Sequence, residues 1–278
     1  MRPVRMSPDA IVARGLAVEY GPTVALGPSD FSVPTGAVVA AIGPNGSGKS
    51  TLLNAIAGLV TPSAGEIVVG SERHRISYVM QATKVNETLP VTVREVVTMG
   101  RYASTGPYGR MRPEDRGAVD AALERMDIAG IASRHLHDLS GGQRQRVFVA
   151  QGLAQDHDML LLDEPLTGID LTTAQAIDEV IHAETREGCT VVLTTHDLSE
   201  ARSADFVLLL AGRVLASGPP ADVLNEANLL SAYGPSLLHV EKGGLFLDDP
   251  AHMPIDGRHA HQDRSIHTET DRTGVHGE

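Results

Sequence analysis

Apolar residues recur along this chain in two rhythms, and the switches between them mark out its elements. Residues Ile11 to Val18 and Pro28 to Val33 alternate loosely between apolar and polar and are broken by Gly and Pro, which predicts short antiparallel strands with Tyr20 between them. Ala37 to Ile42 is apolar throughout, as expected of a central strand covered on both faces by helices. A helical pattern follows from Lys49 to Ala57 and is closed by Gly58, and residues 65–70 and 75–80 read as two further strands. From Thr92 to about Asp138 the period becomes helical, through Val93, Val96, Val97 and Met99 and later Ala118, Ala121, Ala122, Leu123 and Met126. This predicts a helical insertion in the sheet domain, divided by Gly106-Pro107-Tyr108-Gly109.

Beyond Ser140 the expected order is a helix to about Ala154, a strand at Met159 to Leu162, a helix from Leu171 to about Glu187 and a strand at Thr190 to Thr195. Such alternation argues for an α/β fold with a mostly parallel sheet. Phe206 to Ala211 and Val214 to Ser217 flank Gly212-Arg213 as a hairpin, with a helix around Ala221 to Ala232 after it. Leu237 to Val240 and Leu245 to Leu247 suggest one more hairpin. Apolar residues are sparse from Pro250 to Glu278, a composition expected of a disordered tail.

Composition narrows the function classes. The 278 residues suffice for a large core, and no apolar run approaches the roughly 18 residues that span a bilayer. Met1 to Met6 lead into no apolar signal core, so a cytoplasmic location is expected. A formal net charge of -12 opposes nonspecific attraction to nucleic acid, and with 3% aromatic residues and no Trp, stacking platforms for single strands are scarce. No nucleic-acid partner is expected. The one cysteine, Cys189, sits in an apolar strand-like run and reads as a buried structural thiol.

Three motifs carry chemistry. Gly43-Pro44-Asn45-Gly46-Ser47-Gly48-Lys49-Ser50 fits G-x-x-x-x-G-K-[ST] with a strand before it and a helix after it, the context a phosphate loop requires. Backbone N–H groups and the positive helix end would hold a polyphosphate, Lys49 would add a full charge, and the Ser50 hydroxyl would reach Mg²⁺. Leu160-Leu161-Leu162-Asp163-Glu164 sets two carboxylates at a buried strand end, where α/β sheets open their ligand crevice. Asp163 would orient Mg²⁺ through its water shell and Glu164 would polarise the attacking water. Leu139-Ser140-Gly141-Gly142-Gln143 opens a second helix whose amides no side chain crowds, a second end able to receive an anion. His196, after the strand Thr190 to Thr195, is placed to meet a γ-phosphate.

Taken in order, Gly43 to Ser50, Gln81, Leu139 to Gln143, Leu160 to Glu164 and His196 resemble the ATP-binding cassette ATPases over Ile11 to about Gly218. The resemblance implies a P-loop ABC-ATPase fold in which a mostly parallel sheet carries an antiparallel β subdomain and an inserted helical subdomain. On that frame residues 1–249 form the ATPase domain, with the insertion at about 86–140 and a terminal hairpin at about 235–249, and residues 250–278 form the tail. It further implies a head-to-tail dimer, each ATP lying between Gly43 to Ser50, with Thr51, of one chain and Ser140, Gly141, Gly142 and Gln143 of the other. Tyr20 matches the family's adenine-stacking aromatic, Gln81 its sensor glutamine and Mg²⁺ contact, Glu164 its catalytic base and His196 its switch histidine. Leu166 to Asp170 falls where the family commonly has S-A-L-D; Asp170 is kept, while Thr167 and Gly168 depart. The implied partner is an integral-membrane permease, met through the groove between Gln81 and the helical lobe on the cytoplasmic face of the membrane, with an extracytoplasmic solute-binding protein involved indirectly.

Val91 to Tyr102 looks like the same stretch in the ATPases of bacterial importers for zinc, manganese and chelated iron. Independently, the tail carries His252, His259, His261, His267 and His276 among carboxylates, a composition suited to loose Zn²⁺ capture or incidental to a solvated tail. The leading expectation is therefore the ATPase of a transition-metal importer, zinc ahead of manganese and iron. The alternatives are an importer for a siderophore or other small solute, and a soluble cassette ATPase acting on chromosomes or ribosomes. A plain P-loop kinase would leave Leu139 to Gln143 without a purpose.

Overall fold

Side-chain alternation along four apolar strands organises the molecule. In the computed structural model, which describes residues 9–81, 90–106, 109–235, 238–241 and 244–247, an antiparallel sheet is built from β1 (Asp9–Tyr20), β2 (Thr23–Pro34) and, further along, β4 (Ala64–Val69). The main sheet contains β3 (Val38–Ile42), β5 (Ile76–Val79), β6 (Met159–Asp163), β7 (Thr190–Thr195), β8 (Phe206–Leu210) and β9 (Val214–Gly218), in the order β5-β6-β7-β3-β8-β9. All neighbours in it are parallel except β8 and β9. Val38, Ala40 and Ile42 of β3 face one core while Val39 and Ala41 face the other, and the same alternation holds for Leu160 and Leu162 against Met159 and Leu161 in β6. A strand buried on both faces needs an unbroken apolar run, which explains the central segments of the sequence.

On one face of the sheet lies α1 (Lys49–Ile56), which buries Leu52, Leu53 and Ile56 with the antiparallel sheet. The opposite face receives the insertion, α2 (Val93–Met99), α3 (Tyr102–Thr105) and α4 (Pro113–Arg125), followed by α5 (Gly141–Ala154) and α6 (Leu171–Arg186). Each fully buried aliphatic side chain contributes about 1.5–3 kcal/mol. Helix α2 starts at a reciprocal cap, Glu95 N–H donating to Thr92 Oγ1 at 3.3 Å and Thr92 N–H to Glu95 Oε2 at 2.7 Å. Short helices α7 (Leu198–Ser203), α8 (Pro220–Val223) and α9 (Glu226–Tyr233) and the hairpin β10 (Leu238–Glu241) with β11 (Gly244–Leu247) complete the fold.

Several boundaries differ from the expectations. The first two strands extend to twelve residues each because bulges, one beside Gly15 at φ 58°, absorb the Gly and Pro interruptions. The helix expected around Ala221 to Ala232 is two helices, parted where Asn225 accepts the N–H of Asn228 and restarts the chain as a cap. Helix α7, unanticipated, starts because Asp197 Oδ1 accepts the N–H of Ser199 at 2.6 Å. The first part of the insertion is itself split between Met99 and Tyr102. Pro107, Tyr108, the start of the insertion near residue 86 and the tail with its histidines lie outside the described residues.

The split at residues 99–102 has a packing cause. A Cβ at Gly100 would stand 2.2 Å from the Gln151 carbonyl oxygen, so only glycine lets α2 press on α5. Arg101 then turns inward, its side chain 8% exposed, and holds Asp115 at 2.8 Å, Asp156 at 2.9 Å and the Ala154 carbonyl at 2.8 Å. The Arg112 N–H and the Arg101 guanidinium keep the Asp115 carboxyl below its ordinary range. A carboxyl depressed on folding stabilises at pH values above its unfolded pKa and loses that contribution as pH falls through the folded value. Asp115→Asn should therefore destabilise the protein by a constant amount between pH 7 and 5, with the difference from wild type shrinking below about pH 4. Denaturant titrations across that range check this, and a difference that persists undiminished at pH 3 would remove the ion pair from the account.

Candidate active site

Parallel register collects the chemistry at one sheet edge. Ile42 pairs with Thr195 and Asp163 with Thr194, so the residues next in the chain, Gly43, His196 and Glu164, leave neighbouring strands at the same end. Val79 pairs with Leu162, which brings Gln81 to that end as well. Loops at the carboxyl ends of parallel strands form the ligand crevice of such sheets.

The phosphate loop passes through left-handed backbone at Gly46 and Gly48, with φ 78° and 99°. Helix α1 then begins with no side-chain cap and no acidic residue in its first turn, so its leading amides, from Lys49, Ser50 and Thr51, face an anion site without a built-in competitor. Ser47 Oγ is buried without a protein partner. Lys49, 6% exposed, donates from Nζ to the carbonyls of Gly43 at 2.7 Å and Pro44 at 3.2 Å, curling over the loop it belongs to. Burial lowers its pKa, and Glu164 and Asp163 act against that shift. An uncapped helix end, an orphaned hydroxyl and a buried ammonium are what a polyphosphate would satisfy.

Beside the loop, Ser50 Oγ donates to Asp163 Oδ2 at 3.0 Å. These are hard oxygen donors of the kind Mg²⁺ takes, and the pair fits that ion. Asp163 is 3% exposed and accepts a second bond from Thr194 Oγ1 at 2.8 Å. The same Thr194 oxygen accepts the Glu164 N–H at 2.8 Å. Glu164 occupies left-handed backbone at φ 50°, unusual for a residue with a Cβ, and its carboxylate accepts a bond from Gln81 Nε2 at 3.1 Å. His196 is exposed at the head of this edge. Tyr20, 48% exposed, ends the β1–β2 hairpin, whose second strand passes Gly48 at Ala25 and Leu26.

Ser140 to Gln143 form a separate surface. Ser140 caps α5, its Oγ accepting the Gln143 N–H at 3.3 Å while Ser140 N–H donates to Gln143 Oε1 at 3.2 Å, which leaves the hydroxyl hydrogen free to donate outward. Ser140 and Gly141 are exposed, and nothing lies within 4 Å of a Cβ at Gly141. A Cβ at Gly142 would meet Asp170 Oδ2 at 2.7 Å and Thr173 Oγ1 at 2.9 Å. Asp170 in turn caps α6 by accepting the Thr173 N–H at 2.9 Å. The second anion end and the Asp170 turn are thus packed as one piece. Among the described residues no hydrogen bond joins Ser140 to Gln143 to the phosphate loop of the same chain.

Sequence reasoning missed Thr194. It lay inside the strand predicted at Thr190 to Thr195, and a polar side chain two residues before His196 in a fully buried run was the available sign.

A phosphate loop, an Asp-Glu strand end and a histidine on adjacent parallel strands define a P-loop nucleoside triphosphatase. The chain belongs to the ABC transporter family: that family's profile matches residues 26–167. Over 255 residues it is 36% identical to the chelated iron transport system membrane protein YfeB of Yersinia pestis, covering 89% of this chain and 86% of that one. The zinc transport system ATP-binding protein TroB of Treponema pallidum is 38% identical over 81% of this chain and 87% of its own length, and the manganese transport system ATP-binding protein MntB of Bacillus subtilis is 38% identical over 79% and 90%. Among solved structures, an inward-facing ABC transporter assigned to the metal-chelate type superposes with TM-score 0.73 at 27% identity, covering 87% of this chain and 96% of the other. The protein is thus an ATP-binding subunit whose ATP hydrolysis is coupled to transport.

Thr194 links the Asp163 carboxylate to the Glu164 backbone. Thr194→Val keeps the shape and deletes both bonds, so the ATPase rate should fall about 10- to 100-fold, the usual range for outer-shell partners, while ATP affinity falls less. Steady-state hydrolysis and nucleotide titration check this, and an unchanged rate would show that Thr194 is not needed for positioning.

Proposed function

We propose that this chain powers import of a transition metal, zinc first and then manganese or iron, through a separate integral-membrane permease. The observation that carries this reading is the extent of the similarity: relatives named for chelated iron, zinc and manganese each align with 79–89% of the chain. Zinc stands first because of the tail histidines, since the three relatives name three different cargoes. The Val91 to Tyr102 stretch resembled that of zinc, manganese and chelated-iron importers, the cargoes these relatives name, and its residues also have packing roles. Val93, Val96 and Val97 are core, Gly100 permits a helix contact and Arg101 serves the ion pair, so most of that pattern answers to packing.

In the proposed cycle ATP binds on Gly43 to Thr51, its phosphates taken by the loop amides and Lys49 and its base stacked on Tyr20. Ser50, Asp163 and Gln81 would hold Mg²⁺, whose chemistry there would be to neutralise phosphate charge. A second copy of the chain, head to tail, presents Ser140 to Gln143 to the γ-phosphate, with Asp170 beside them. Glu164 takes the proton of the attacking water and His196 donates to the γ-phosphate. Leu171, 74% exposed next to Asp170, is apolar surface that such a dimer would cover.

The permease would dock in the groove between β5 and the insertion, a cavity of about 300 Å³ lined by Tyr78, Met80, Val96, Met99, Ala103 and Gln151. Met80 and Met99 are 50% and 38% exposed at its rim, apolar and adaptable enough to receive a short helix. Because Gln81 follows Met80, occupancy of the groove and the position of the Glu164 carboxylate share a few residues of backbone. Among the described residues no helix is long and apolar enough to cross a membrane; we place the subunit on the cytoplasmic face, against the permease.

Glu164→Gln should lower ATP turnover at least about 100-fold while preserving ATP-dependent dimerisation in gel filtration; full activity would dismiss Glu164 as the base. For the cargo, uptake of radiolabelled zinc, manganese and iron is compared in cells with and without the gene. Loss of zinc uptake is expected; loss of iron-chelate uptake alone would reassign the cargo, and no change for any metal would refute metal import.

A further inference from the structure

Three side chains that the nucleotide site does not use meet at the opposite end of the sheet. His157 lies just before β6, Glu184 in the last turns of α6 and Cys189 just before β7, and one ligand atom from each lies within 4.8 Å of the others. The cluster is enclosed, with Glu184 and Cys189 each 5% exposed and the His157 side chain 6%.

The outer atom of two of these groups is already anchored. His157 Nδ1 lies 2.7 Å from the Gln155 carbonyl oxygen, so it carries the hydrogen and donates, which turns Nε2 toward Glu184 Oε2 at 3.0 Å. Glu184 Oε1 is held by Arg125 at 2.6 Å, leaving Oε2 facing the imidazole and the thiol. An imidazole oriented by a backbone carbonyl and a carboxylate oriented by a neighbouring cation are how proteins fix metal ligands in advance.

We propose that His157 Nε2, Glu184 Oε2 and Cys189 Sγ form a binding site for a thiophilic divalent cation of the zinc class. Thiolate and imidazole favour Zn²⁺ over Mg²⁺ or Ca²⁺, and three protein ligands leave a fourth tetrahedral position for water. Arg125 also lines an open cleft of about 590 Å³ along α6, with Asp178, Glu179, His182 and Arg186.

Position gives the site a mechanical consequence. Arg125 ends α4 of the helical insertion, Glu184 belongs to α6, and Cys189 leads into β7, the strand whose far end carries Thr194 and His196. A metal here fastens α6 to the starts of β6 and β7, beside the Arg125–Glu184 ion pair that already ties α4 to α6. The site stands on its own residues and does not depend on which cargo the transporter carries.

The full chain contains one cysteine, so a thiolate-to-cobalt charge-transfer band in the near ultraviolet reports Cys189 alone, even where tail histidines also take up cobalt. Titration of the reduced protein with Co²⁺ should raise that band to saturation at one equivalent, and Zn²⁺ should displace it. Cys189→Ser should abolish the band with circular dichroism and ATP binding preserved, and His157→Gln should weaken cobalt binding at least about tenfold. A fully reduced wild-type protein that shows no band at saturating Co²⁺ overturns the site, and an unchanged titration in His157→Gln overturns the ligand set.

Discussion

The register between β3, β6 and β7 is the constraint on which the rest depends. Three parallel strands aligned so that Ile42, Asp163 and Thr194–Thr195 come level place a phosphate loop, a carboxylate pair and a histidine side by side. Thr194 secures that alignment chemically, because one hydroxyl donates to Asp163 and accepts from the Glu164 backbone. In this fully buried strand the Thr194–Asp163 bond lies out of competition with water, where an unmade hydrogen bond costs about 1–3 kcal/mol. A one-residue slip would strand Asp163 without its donor and turn the apolar faces of β6 against the wrong cores.

Around this edge the molecule divides what it completes from what it leaves open. Phosphate loop, Asp163 and Glu164 are joined by short bonds within the chain, whereas Ser140 and Gly141 face outward with a free hydroxyl hydrogen and an empty approach. Gly142 ties that outward surface to Asp170, and Asp170 caps α6. Movement of the α5 end would therefore reach α6 through van der Waals contact. The unusual Thr167 and Gly168 lie upstream of this contact, while its two ends, Gly142 and Asp170, are the residues shared with the family pattern.

Much of the fold was legible in the sequence because buried parallel strands and capped helices are written locally. Residues 37–42 read as a central strand, and Ser140 followed by Gly141-Gly142 announced the helix that ends at Ala154. What stayed hidden depended on distance. Asn225 and Asp197 restart helices through caps that short windows smooth over, and Thr194 matters because of two residues 30 and 31 positions away. Gly100 and Arg101 looked like a family label for cargo, yet their neighbours are Gln151, Asp115 and Asp156, which no linear pattern discloses.

The central claim is that one chain holds half of each catalytic site. Specific ATPase activity of the purified chain, followed at saturating ATP over a wide dilution series, tests it most directly. The rate per chain should climb with concentration and level off as head-to-tail pairs form. A rate per chain that stays constant down to dilutions at which light scattering shows only monomer would contradict it.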